Sequence, residues 1–220
     1  MIIGLCGFAG SGKGTVADIL ADQHFKKLSF ADTLKDATAV LFDWPRKLLE
    51  GDTPESREFR ETKDEFWSKK FGKDFTPRMA LQLMGTEAGR DVFHKDIWIH
   101  TTEKQMSKYA RVVIADVRFQ NEIKFIQNSG GFVVRVKRGP EPEWYNTAHK
   151  QNMFMQALGV ESLDYPEKDF MKNLYPNVHI SEWAWIGTNF DFLIENDGGI
   201  EDLESKVNYM LRLFKMCDTI

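Results

Sequence analysis

The chain opens with a short apolar run, Met1 to Cys6, closed by Gly7. It then passes through Gly7-Phe8-Ala9-Gly10-Ser11-Gly12-Lys13-Gly14 into the stretch from Thr15 to Phe25. Unbroken apolarity over so few residues fits a strand buried on both faces of a parallel sheet. Val16, Ile19, Leu20 and Phe25 fall on a helical period. The order is strand, glycine loop, helix, and it commits the chain to an α/β design, because parallel strands need crossover connections. Residues 7–13 fit the pattern G-x-x-x-x-G-K, the P-loop. Glycines there let backbone N–H groups turn inward around a polyphosphate, and the following helix points its positive end at the same anion. Lys13 adds a point charge for the β and γ phosphates. A plain glycine turn with a solvated lysine is the alternative, and it leaves the placement between strand and helix without a reason.

The position after the lysine, often Ser or Thr in such loops, is Gly14, and the hydroxyl comes one residue later at Thr15. Side-chain coordination of Mg²⁺ from the loop is therefore not expected. The ion is expected to be held by phosphates, water and an outer carboxylate, with no direct protein ligand.

Further along, strands and helices keep alternating. A short strand is read at 28–31, with Asp32 as the N-cap of a helix over 33–42. The stretch 44–76 is charged and interrupted by Pro45, Gly51, Pro54 and Gly72, so it reads as loop plus a polar helix near 55–70. A helix starts at Pro77, breaks at Gly85 and resumes at Ala88, and another covers 96–109. Strands are expected at 111–118, 132–138 and 189–196, with helices over 119–131 and 199–214. The segment 139–178 is rich in proline and lacks a sustained period, so it reads as a lid-like insertion within one domain spanning 1–220.

Lys and Arg number 29 against 33 Asp and Glu, a net charge of −4. That balance argues against a nucleic-acid polymer as main partner, while permitting a local basic pocket for a small anion. Cys6 and Cys217 make no metal spacing and no disulfide framework, which fits a reducing cytosol. No apolar run approaches the roughly 18 residues of a membrane span, and the N-terminus lacks the basic flank of a signal peptide. The expectation is a cytoplasmic protein with no membrane partner. No heptad or apolar stripe establishes a homodimer, which stays open.

Asp116 ends the strand at 111–118, where ligands gather in open α/β sheets. It either organises a metal's water shell or a second substrate, or caps the next helix. Arg118 and Glu122, one helical turn apart, either contact substrate or pair with each other. Phosphoryl transfer needs several cations to neutralise both anionic substrates. Lys35, Arg60, Arg78, Arg90 and Arg138 are the candidates, each against the alternative of a solvated surface position. Trp98, Trp183 and Trp185 pack a core or stack on a base. His179 and Glu182 form a polar pair or serve structure only.

Taken together, these segments resemble the bacteriophage deoxynucleoside monophosphate kinase family. The resemblance is carried by GFAGSGKGTVAD (7–18), SFADTLKDA (29–37), RET (60–62), PRMALQLMGTEAGRDVF (77–93), IW (97–98), VVIADVRFQNE (112–122), VVRVKRG (133–139), HISE (179–182) and FLIENDGGIEDL (192–203). It implies a P-loop, nucleoside monophosphate kinase-like α/β fold, with a parallel sheet flanked by helices. The implied reaction is Mg²⁺-dependent transfer of the ATP γ-phosphate to a dNMP, giving dNDP and ADP. By the resemblance, Gly10, Ser11, Gly12, Lys13, Gly14 and Thr15 bind ATP, with Asn196 near the adenine. Lys35, Arg60, Arg78, Gly85, Thr86, Trp98, Asp116, Arg118 and Glu122 line the deoxynucleotide pocket. Lys13, Asp116, Arg118 and Arg138 act on the transferring group. Two rivals remain: another small-molecule kinase, such as one like dephospho-coenzyme-A kinase, and a nucleotide-dependent switch.

Overall fold

A computed structural model describes residues 1–160 and 169–217. They form two compact units, one from the described residues of 1–28 and 109–220 and the other from residues 29–108. The first unit holds a five-stranded sheet in which every pairing is parallel: β1 (Ile2–Cys6), β2 (Lys26–Leu28), β3 (Val112–Ile114), β4 (Phe132–Lys137) and β5 (Phe192–Glu195). The order across the sheet is β2-β3-β1-β4-β5, so β1 is central. That placement explains its unbroken apolarity: Ile3, Leu5 and Cys6 are fully buried. The helices α1 (Lys13–Asp22) and α7 (Gln120–Asn128) lie on crossovers between strands, and α11 (Ile200–Cys217), after the last strand, adds cover. Val16 and Leu20 of α1 and Val207, Met210 and Phe214 of α11 bury their periodic faces with Ile3, Leu5 and Val134 in one core.

The second unit is helical: α2 (Asp32–Phe42), a 3-10 turn (Arg46–Leu49), α3 (Pro54–Glu61), α4 (Glu65–Phe71), α5 (Pro77–Leu83), a π-helical segment (Met84–Phe93) and α6 (Ile97–Met106). Its core gathers Trp44, Leu49 and Phe75 with Ala39, Ala80 and Leu81. Phe42 stacks on Trp44 at 4.7 Å between ring centroids. Among the described residues no helix is long and apolar enough to cross a membrane.

Several expectations are corrected. The second strand runs over Lys26–Leu28, not 28–31. Beyond Leu28 the chain turns: Ser29 donates its N–H to Asp32 Oδ2 at 2.9 Å, and Asp32 is the first residue of α2, with Ala31 in the cap position. One polar helix near 55–70 is in fact two, α3 and α4. Thr53 caps the first and Asp64, accepting from the Trp67 N–H, caps the second. Gly85 breaks nothing, since the helix continues from α5 as a π-helical segment. The glycines there serve close approach: a Cβ at Gly85 would lie 3.1 Å from Leu34, and one at Gly89 2.5 Å from the Trp98 ring.

Within 139–178, the structure has α8 (Tyr145–Leu158) and the short α9 (Phe170–Leu174), followed by α10 (Ile180–Trp183); residues 161–168 of the expected insertion lie outside the described residues. Hydropathy missed α8 because part of its buried face is polar. Asn152 is buried and donates to the carbonyls of Trp183 and Ile186 at 2.9 and 2.8 Å. Gln151, also buried, accepts the Phe170 N–H at 2.7 Å.

Candidate active site

The loop after β1 is shaped by its glycines. Gly7, Gly10 and Gly12 have φ of 141°, 78° and 98°, the half of backbone space that side chains disfavour. Two of them also permit close approach. A Cβ on Gly7 would lie 2.2 Å from the Val136 carbonyl oxygen, and one on Gly12 2.2 Å from Asn196 Nδ2. Asn196, at the end of β5, is buried and donates to the Ser11 carbonyl at 2.9 Å. Here the residue expected near an adenine holds the loop itself. Ser11 Oγ is buried and has no hydrogen-bond partner among the described residues. An unused hydroxyl inside a loop of inward-turning backbone fits an oxygen-rich anion, as does the start of α1 at Lys13.

Lys13 Nζ donates to the carbonyls of Gly7 and Phe8, both at 2.7 Å. Burial is the main cause that lowers its pKa to about 8, and the Arg118 charge lowers it further, against the pull of Cys6, Glu182 and Asp116. This ammonium is paired with neutral carbonyls in a partly desolvated place, and an anion would restore its charge balance. Cys6 is not a competing nucleophile, since burial pushes its thiol up to about 12.

Asp116 lies just past β3, where the chain still follows the sheet: Ala115 donates its N–H to Leu28 and Val117 to Leu5, each at 3.2 Å. It is close enough to Lys13 to act on its charge. Arg118 and Glu122 do not pair through their side chains. Glu122 is buried, and one carboxylate oxygen accepts the N–H groups of Arg118 and Phe119 at 2.7 and 3.0 Å, which closes the start of α7. The Arg118 guanidinium reaches Glu182 at 3.2 Å. Glu182 therefore pairs with Arg118 and not with His179, whose ring meets Ser181 Oγ at 2.8 Å. Arg138 is exposed, one residue past β4. Gly14 and Thr15 are exposed in the first turn of α1.

Sequence reasoning missed Arg135. It lies on β4, is buried, and reaches Glu141 at 2.6 Å and the Tyr145 hydroxyl at 3.1 Å. Its guanidinium also stands over the rings of Tyr145 and Trp185, at 5.2 and 5.1 Å. Phe8, within the loop, packs edge-on to Trp144, Tyr145 and Trp185 at 4.9–6.2 Å. The arginine and its aromatic neighbours thus brace one wall of the loop. The available signal was an arginine inside an otherwise apolar strand, since such a residue is buried only with partners.

In the helical unit, Lys35 pairs with Glu50 at 2.6 Å. Glu50 also pairs with Arg46, which reaches Asp32 and Asp36 as well. These cations hold the Glu50 carboxyl below the usual carboxylate range. Arg60 donates to the Glu50 carbonyl at 3.3 Å and covers Gly51, where a Cβ would strike its guanidinium. Lys35 and Arg60 therefore meet at the Glu50–Gly51 corner. Arg78 is exposed and pairs with Glu61. Trp98 donates its indole N–H to the Gly85 carbonyl at 2.8 Å, Thr86 is exposed beside it, and Arg90 is half-buried on the same π-helical segment.

No family model matches the chain. A protein of Acanthamoeba polyphaga mimivirus that bears the name of a deoxynucleotide monophosphate kinase is 39% identical over 152 residues, 63% of this chain and 74% of that protein. The deoxynucleoside-5'-monophosphate kinase of Escherichia phage T5 is 41% identical over 56 residues, 24% of this chain and 22% of that one. Among solved structures, shikimate kinase from Aquifex aeolicus aligns over 98% of this chain and 99% of its own, at 16% identity and a TM-score of 0.44.

Proposed function

The chain belongs to the deoxynucleotide monophosphate kinase family, and from that premise we propose that it transfers the γ-phosphate of ATP to a deoxynucleoside monophosphate, yielding dNDP and ADP. It is an ATP-dependent phosphotransferase with a nucleotide substrate. The observation that carries the phosphate-transfer reading is the glycine loop: a half-buried ammonium held by two carbonyls, an orphaned hydroxyl and three glycines of positive φ, all within residues 7–13.

In this reading the loop N–H groups and Lys13 bind the ATP phosphates. Lys13 exchanges its carbonyl partners for phosphate oxygens and stabilises the charge that develops on the transferring group. Arg118, oriented by Glu182, adds a second positive charge, and Arg138 a third. Asn196, through Ser11, keeps the loop from collapsing around its own lysine. The acceptor phosphate is held by cations of the helical unit, Lys35 and Arg60 first and Arg78 with them. Gly85, Thr86 and Trp98 form the corner for the nucleoside. No general base is required, because the attacking phosphate oxygen is already ionised. Mg²⁺ fits the donor set only through water, with Asp116 and Thr15 as outer partners; bound with ATP, it supplies charge neutralisation of the phosphates.

The test is coupled ADP release with ATP–Mg²⁺ and each of four dNMPs and four NMPs, with an acceptor-free control. Turnover that needs a deoxynucleotide is expected. Slow ATP hydrolysis indifferent to every nucleotide would overturn the proposal.

A further inference from the structure

The turn that joins the π-helical segment to α6 carries His94 and Asp96, and α6 itself carries His100. Asp96 stands in the N-cap position of α6, and His100 donates its N–H to the Asp96 carbonyl at 2.9 Å, so the two side chains share one face a single turn apart. His94 is brought back over that face by the turn, in which Ile97 donates its N–H to the His94 carbonyl at 2.9 Å. The two imidazole rings are 5.2 Å apart between centroids. One ligand atom from each of the three residues lies within 4.8 Å of the other two. Both histidines are exposed and Asp96 is half-buried, so a cation could enter from solvent without opening the fold.

We propose that His94, Asp96 and His100 form a binding site for a divalent transition-metal ion of the zinc class, separate from any ion carried with ATP. Two imidazoles and one carboxylate suit Zn²⁺, Ni²⁺ or Co²⁺; Mg²⁺ prefers an all-oxygen shell. Three protein ligands leave the fourth tetrahedral position to water. The His100 Nδ1 lies 3.6 Å from Glu103 Oε2, beyond hydrogen-bond distance; on metal binding at Nε2 that carboxylate is placed to close on Nδ1 and orient the ring. His94 Nδ1 accepts the Asp96 N–H at 3.1 Å, and ligation competes with that contact. Occupancy would tie the end of the π-helical segment to the first turn of α6, so it should also stabilise the chain against heat.

The experiment uses the full chain without nucleotide. Zn²⁺ is titrated in competition with a chromophoric chelator, and Co²⁺ binding is followed by its visible absorption. The expected result is one metal per wild-type chain and a raised melting temperature with Zn²⁺. Both effects should be lost in His94→Ala and in His100→Ala and weakened in Asp96→Asn, which keeps the size of the side chain and removes its charge. Mg²⁺ at the same concentrations should displace nothing. A wild-type chain that fails to compete with the chelator would overturn the site, as would unchanged stoichiometry in both histidine variants. Neither result bears on the phosphotransfer proposal, because no nucleotide is present.

Discussion

The glycine loop and the Glu50 corner each collect cations, but they satisfy them by different means. Lys13 rests on two neutral carbonyls inside a partly desolvated loop, whereas Lys35 and Arg46 rest on the Glu50 carboxylate. The first arrangement leaves a net positive charge that an anion can complete. In the second, Lys35, Arg46 and Arg60 stand against Glu50, Asp32 and Asp36, three charges of each sign, and a phosphate entering there has to displace a carboxylate. A loop built from backbone is therefore prepared for its ligand in advance, while a site built from ion pairs exchanges one anion for another. The two should respond to substitution by different amounts and on different kinetic constants.

The largest effect is expected at Lys13. Lys13→Met should lower kcat by about 10²-fold or more, the scale of losing one charge-stabilising donor, with the folded circular-dichroism spectrum retained. The same lysine gives a pH signature. Its free-enzyme pKa of about 8 means kcat/KM for ATP should fall above that pH as the ammonium is lost. Stability should move the opposite way. The folded pKa lies below the ordinary value of 10.5, so between about 8 and 10.5 the unfolded chain binds more protons and stability rises with pH. Lys13→Met should remove that rise, measured by thermal melts across the window.

Gly12→Ala comes next. It places a Cβ at φ 98° and against the Asn196 amide, which should raise the KM for ATP by about tenfold and cost roughly 1–3 kcal/mol of stability. Adding Asn196→Ala should relieve the clash and leave the backbone strain, so the double variant should recover only part of the loss. Arg135→Met should cost about 2 kcal/mol in chemical denaturation, because it removes the nearer cation from the half-buried Glu141, which keeps only Lys137 at 3.7 Å. Arg135→Met with Glu141→Gln should recover most of it, and the KM for ATP should report the weakened brace under Phe8.

The smallest effect belongs to the ion-paired corner. Glu50→Gln removes the carboxylate that competes for Lys35, so the KM for the acceptor should fall by about twofold to fivefold, the scale of a partly exposed ion pair. The KM for ATP should stay unchanged. An equal shift in both constants would break the distinction between the two regions.

The strand-and-loop region was the more legible in sequence, for a physical reason. A buried central strand needs continuous apolarity, and a phosphate loop needs glycine at fixed positions, so Ile3 to Lys13 announced both the sheet and the loop. Gly85 misled because glycine has two uses, ending a helix or letting a neighbour approach. Only the structure shows that Leu34 and Trp98 take the space at Gly85 and Gly89. Helix α8 was hidden because Gln151 and Asn152 are buried through hydrogen bonds, which a hydropathy period does not register. Charged partners are the least legible of all. No spacing rule connects Arg118 to Glu182, 64 residues away, or tells that Glu122 is used on backbone N–H groups.

The central claim is that phosphate leaves ATP for a deoxynucleotide under the control of the glycine loop. Label transfer tests it most directly: ATP carrying γ-³²P is incubated with each dNMP, and the products are separated chromatographically for wild type and Lys13→Met. The account predicts label in the dNDP with the wild-type chain and almost none with the variant. Label appearing only as inorganic phosphate, or equally with both chains, would contradict it.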